Sequence, residues 1–95
     1  MITQEGNRLL VDGPVTIGTV SALLAQSRAL LAPGVAVLDF QGVTEVDSAA
    51  VALALECMRE ARRRKLTLSL ANLPDAMQHL AQLYAVSELL QAASA

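Results

Sequence analysis

The acid and hydroxyl at Asp47 and Ser48 stand directly ahead of the apolar run Ala49, Ala50, Val51, Ala52 and Leu53. If that run opens a helix, both side chains can accept hydrogen bonds from the first-turn N–H groups, which have no partners within the helix. One cap needs only one acceptor. Asp47 is sufficient for it, so Ser48 is left as an exposed hydroxyl in the positive potential of a helix start. That is a place suited to a phosphate or to a partner's acceptor. Ser48 is therefore the candidate phosphorylation site. Ala49 and Ala50 are small enough to let another chain approach closely, which favours a contact surface over a cavity.

The other reactive side chains do not assemble into a catalyst. His79 is the lone histidine, set between Gln78 and Leu80 on a helical stretch, and no Gly-x-Ser-x-Gly elbow accompanies it. Asp39, Glu45 and Asp47 offer acids, but Glu45 and Asp47 are expected in a connecting loop where solvation accounts for them. A phosphate-gripping loop needs several glycines before a helix, and Gly42 stands alone. Cys57 has no Cys or His at metal-ligand spacing, and its neighbours Ala54, Met58 and Ala61 make it a small apolar filler. No catalytic residue, metal site or cofactor is expected. The cations Arg62, Arg63, Arg64 and Lys65 fall at a helix end, where they complement the helix dipole. Glu56 and Glu60 offset them, which weakens any reading of the run as a lipid-headgroup site.

Elements must position these residues. Ile2–Glu5 and Arg8–Asp12 flank the turn signal Gly6-Asn7 and predict a hairpin, with Leu9 and Val11 on one face and Leu10 on the other. Gly13-Pro14 is expected to break the second strand. Thr16 or Thr19 can cap a helix running to about Leu31, with Val20, Leu23, Leu24, Ser27 and Leu31 at helical spacing. Pro33-Gly34 ends it. Val35–Phe40 is apolar except for Asp39, as suits a central parallel strand. A loop over Gly42–Asp47 then leads to a long helix ending near Lys65, whose inward stripe is expected to be Val51, Ala54, Leu55, Met58, Ala61 and Arg62. Leu66–Leu70 alternates apolar and polar residues, the pattern of a strand with one covered face. Asp75 is the expected cap of a third helix to Tyr84, with Met77, Leu80 and Leu83 inward, and Val86–Leu90 a last short turn or helix. The sum is an α/β fold: a mixed sheet of about four strands with helices mainly on one face.

The chain of 95 residues fits one domain, residues 1–95. Apolar residues make up 54% and aromatics only 2%, so the core must be built from Leu, Val and Ala. With net charge −2 and only Phe40 and Tyr84 as aromatics, a nucleic acid strand finds little to bind or stack on. No secretory signal layout and no apolar stretch of the roughly 18 residues a membrane span requires is present. The expected location is the cytoplasm.

From Val46, Asp47, Ser48, Ala49 and Ala50 onward the sequence resembles the STAS family, whose members carry an acid and hydroxyl pair where the helix after a central strand begins. The likeness extends along nearly the whole chain. With Ala52, Leu53, Ala54 and Leu55, and with Leu80, Ala81, Gln82, Leu83 and Tyr84, it is most similar to the MlaB-like branch, the cytoplasmic STAS subunit of a phospholipid-trafficking ABC transporter. The resemblance implies a non-catalytic subunit that docks on the transporter's ATPase and supports its assembly and activity. It would sit peripheral to the inner membrane through that partner. A partner surface is then expected from Gly42, Val46, Asp47, Ser48, Ala49 and Ala50, bordered by Tyr84. The alternative is a switch like the anti-sigma-factor antagonists, binding an anti-sigma kinase. In that branch the phosphoacceptor is the second hydroxyl after the acid, and this position here is Ala49, while Ser48 matches the first.

Overall fold

The computed structural model describes residues 1–84. Four strands form one sheet in the order β1-β2-β3-β4. β1 (Ile2–Glu5) and β2 (Arg8–Val15) pair antiparallel around Gly6, which takes the first turn position at φ +62, as a two-residue hairpin requires. β3 (Val37–Val46) and β4 (Ser69–Ala71) add to β2 in parallel, β4 covering only Val37, Leu38 and Asp39. Between them run α1 (Val20–Leu30) and α2 (Ser48–Arg63), and α3 (Asp75–Leu83) follows β4. Leu9, Val11, Leu38, Phe40 and Leu70 of the strands share one core with Leu23, Leu53, Cys57 and Met77 of the helices. The fold is thus the mixed four-stranded α/β sheet that the sequence pattern predicts.

Two strands are longer than expected, for one physical reason. β2 continues through Gly13 and Pro14 to Val15, and β3 continues through the presumed loop to Val46. Leu10 pairs with Asp39 but Asp12 with Gly42, and Gly13 pairs with Val43 but Pro14 with Glu45. Each shift inserts one extra residue into β3, a bulge. The inward positions of β3 become Leu38, Phe40, Val43 and Val46, the last two half-buried against the core. Pro14 is tolerated because the bonds to the chain start reach only to Asp12, leaving the far part of β2 as an edge.

Gly42 sits at the first bulge. A Cβ there would collide with the Asp12 carboxylate and lie 3.2 Å from the Val11 carbonyl oxygen. Asp12 is exposed and can swing aside, but the strand carbonyl cannot. Gly42→Ala is expected to cost about 1–3 kcal/mol of stability, read as a lower urea midpoint with unchanged slope.

Other expectations are corrected at the helices. Thr19 precedes α1, yet its hydroxyl caps no first-turn N–H. In its helical conformation the side chain turns back, accepting from Thr16 N at 2.9 Å and donating to Pro14 O at 3.0 Å. Of the stripe expected in α2, Val51, Ala54 and Ala61 are buried, joined by Ala49, Ala50, Leu53, Cys57 and Glu60, whereas Leu55 and Met58 are half-buried and Arg62 is exposed. The strand expected over Leu66–Leu70 shrinks to Ser69–Ala71, because Lys65 turns the chain at φ 59 and Leu66 N still bonds Ala61 O at 2.8 Å. α3 begins at Asp75 itself, with Pro74 before it and no side-chain cap. Met77 and Ala81 are its buried residues, whereas Leu83 is 78% exposed. The element expected at Val86–Leu90 lies outside the described residues.

Candidate functional site

Asp47 organises the corner where β3 hands over to α2. Its extended backbone turns the carboxylate onto the helix start, and Oδ1 accepts the Ala49 N–H at 2.8 Å. Oδ2 accepts the Ile17 N–H at 3.0 Å, and the Asp47 N–H donates to Val15 O at 3.3 Å. One side chain therefore caps α2 and ties the loop between β2 and α1 to it. Both oxygens are spent inside the chain, so Asp47 positions the corner instead of reaching out of it.

That arrangement leaves two side chains facing outward. Ser48 is exposed, and its Oγ has no hydrogen-bond partner among the described residues. Ile17 is held by the Asp47 bond with 81% of its surface in water. Large apolar side chains so exposed, in a loop fixed from both ends, are informative in a way that scattered ones are not. Ile17 was not among the residues singled out from the sequence. Its signal was a β-branched apolar residue between Thr16 and Gly18, outside the helical stripe that begins at Val20.

The remaining candidates divide. Val46 is half-buried and Gly42 exposed, both on β3 instead of a loop. Beside Val46 a shallow cleft of about 170 Å³ is lined by Val43, Thr44, Glu45, Val46, Pro74 and Ala76, where β3 meets the start of α3. Ala49 and Ala50 are 6% and 0% exposed, because the first turn of α2 lays them on the domain's own core. They cannot form a contact surface for another chain. Tyr84 is exposed but follows the far end of α3, roughly 13 Å of helix from the cleft, and does not border the corner.

Asp39 lies on the other side of the sheet from the core and is 4% exposed. Its Oδ2 accepts from Arg8 Nη2 at 2.7 Å and Nε at 3.2 Å. Its Oδ1 accepts from Gln41 N at 2.9 Å and from Asn72 Nδ2 at 3.0 Å. Asn72 reaches it from a left-handed backbone at φ 56, which Asn adopts readily. Burial alone would push the Asp39 carboxyl up, but the bonds from Asn72, Arg8 and Gln41, with the Arg8 charge, together hold it below the usual carboxylate range. A neighbouring cleft of about 230 Å³ is lined by Leu10, Asp12, Asp39, Gln41 and Gly42. His79 is exposed on α3 and does not line it.

Cys57 is buried, and burial foremost pushes its thiol up, which fits an apolar filler better than a nucleophile. The cationic run ends α2 as expected, yet one member does more than meet the helix dipole. Arg64 bonds Glu60 at 2.8 Å and the Leu31 carbonyl at 2.7 Å, so it satisfies an acceptor just past the end of α1. Among the described residues no group of three or more His, Cys, Asp or Glu could hold a metal ion.

A family model described as "Mlab, STAS domain" matches residues 1–91. No curated protein matches the sequence. Among solved structures, the unphosphorylated anti-sigma factor antagonist SpoIIAA superposes with a TM-score of 0.66 at 19% identity, over 93% of this chain and 82% of that one. A sulfate transporter family protein from Wolinella succinogenes gives 0.64 at 18% identity, over 87% of this chain and 69% of its own. At these identities the two structures carry the fold alone.

Proposed function

The chain belongs to the STAS domain family, and from that footing we propose that it is a non-catalytic docking subunit for the ATPase of a phospholipid-transporting ABC complex. Residues 1–95 then act as one domain in the cytoplasm, peripheral to the inner membrane through the ATPase, whose assembly and activity they support in maintaining lipid asymmetry of the outer membrane. The observation that carries the reading is the division of labour at the corner. Asp47 spends both oxygens within the chain, while Ser48 and Ile17 are left facing water beside it. A hydrogen-bonding group next to an apolar anchor is the composition of an interface centre. Among the described residues no helix is long and apolar enough to cross a membrane, so attachment through a partner suits the chain. Gel filtration of the chain mixed with the purified ATPase subunit of the same organism's phospholipid-transport system tests it. Co-elution with raised ATP hydrolysis is expected, and separate elution at micromolar concentrations refutes the docking.

The second reading, a regulatory switch for an anti-sigma kinase, is favoured by the exposed hydroxyl of Ser48 at a helix start. Against it, the residue that would match the phosphoacceptor of that branch is the buried Ala49. Incubation with such a kinase and ATP, read by intact mass, separates the two: one added phosphate on Ser48 selects the switch.

A further inference from the structure

The charges of this chain are sorted by end. The Ser48 corner and the cleft beside it are built from residues 15–19, 43–50 and 74–76, which carry Glu45, Asp47 and Asp75 and contain no Lys, Arg or His, while Asp12 lies earlier on β2. Asp47 is engaged within the chain, but Asp12, Glu45 and Asp75 are exposed. Glu45 lines the cleft beside Val46, and in sequence Asp75 stands between Pro74 and Ala76, the liners that α3 and the residue before it supply. At the opposite end of α2 lie Arg59, Arg62, Arg63, Arg64 and Lys65, with Arg28 near the end of α1. The bond from Arg64 to the Leu31 carbonyl shows that these two helix ends are side by side. The 16 residues of α2 separate the ends by about 24 Å, between two and three times the roughly 8–10 Å over which salt lets exposed charges act. Glu56 and Glu60 are bonded to Arg59, Arg63 and Arg64 and reduce the positive end without reversing it.

From this sorting we infer that the face which docks at Ser48 carries Lys or Arg side chains placed to meet Glu45 and Asp75. The inference deepens the docking proposal and rests on it: Ile17 and Ser48 form the centre, and the two carboxylates form the rim. An apolar centre with a rim of one sign selects a partner whose own rim has the other sign. Like-charged surfaces would be turned away, and the asymmetry of the whole molecule leads the acidic end first into the encounter. The cationic end, facing the other way, takes no part.

Rim charges act chiefly on the association rate and its salt dependence, so kinetics are the readout. Stopped-flow or surface-binding rates are measured with the purified ATPase subunit at low and high salt. For the wild type, association is expected to slow as salt rises. The double substitution Glu45→Lys with Asp75→Lys is expected to slow low-salt association about 10-fold or more and to abolish the salt response. Glu45→Gln with Asp75→Asn, which removes charge without adding any, should fall between. Both sites are exposed, and unchanged circular dichroism confirms that the fold persists. Arg62→Glu at the far end should change the rate less than about twofold. Wild-type binding with rates indifferent to salt and to both double substitutions overturns this inference and leaves docking intact. If the wild type itself fails to bind, the docking proposal falls and this inference falls with it.

Discussion

Ser48→Arg is expected to weaken binding to the ATPase subunit by about 100-fold, or roughly 2.7 kcal/mol, in a protein that remains folded. The side chain is exposed and its hydroxyl has no partner among the described residues, so nothing in the domain depends on it. A cation at the first turn opposes the helix dipole, at a cost of only about 0.3–1 kcal/mol to α2. The interface loses far more. A long side chain displaces the partner from a close-packed centre, strands the group that Ser48 would have bonded, and buries a charge without a mate. Ser48→Asp separates these effects. An anion at a helix start suits the helix, so the domain should be slightly more stable while docking is still weakened by the cost of desolvating a carboxylate at the packed centre. Isothermal calorimetry gives the affinities, and thermal melting the stabilities. Wild-type affinity in both variants would move the contact surface away from this corner.

The second large effect concerns the sheet, not the contact. Asp39→Ala is expected to destabilise the domain by about 2–3 kcal/mol, a large fraction of the total stability of a small domain. The carboxylate binds β2 through Arg8, its own strand through the Gln41 N–H, and the turn after β4 through Asn72. Truncation leaves all three donors to water or to nothing. A value below the usual range of about 3–5 kcal/mol for a broken buried pair applies because the Arg8 side chain is 42% exposed. The effect also has a pH signature. Since the folded carboxyl is held below its usual value, the unfolded chain binds the proton more readily. The stabilisation is therefore fully present above the unfolded value of about 3.9 and is lost as pH falls through the lower folded value. Urea titrations of the wild type and Asp39→Asn should differ most above about pH 4 and converge below it. A gap that stays constant down to pH 2 would assign the network no electrostatic part.

How far the sequence could be read depends on where its periods hold. The hairpin, the apolar run that opens β3 and the inward residues of α1 were legible because alternation, a continuous apolar stretch and helical spacing persist there unbroken. The second half of β3 was not, because two inserted residues shift the inward positions from Phe40 to Val43 to Val46. A strand with that spacing reads as a loop. Pro14 reinforced the error, since a proline stops a central strand but not one whose outer side is free. At the site, Asp47 as a cap and Ser48 as the spare hydroxyl followed from the chemistry of helix ends. Ala49 and Ala50 were misplaced because smallness suits a core as well as a contact. Ile17 was missed because its exposure depends on a bond to Asp47, thirty residues away in the chain, which no local pattern contains. The partners of Asp39 were equally hidden: Arg8 and Asn72 lie on different elements, joined only by the sheet order.

The same irregular strand guards the protein against itself. Beyond Asp39 nothing among the described residues continues the ladder on the β4 side of β3, and a bare row of peptide groups would ordinarily recruit a second copy and seed fibres. The two bulges kink that border and break its even spacing, so an incoming straight strand could match only a few peptide groups before losing step. What looked in the sequence like an absence of strand is thus an edge ill suited to pairing with another strand, set beside the surface through which the chain is proposed to meet its proper partner.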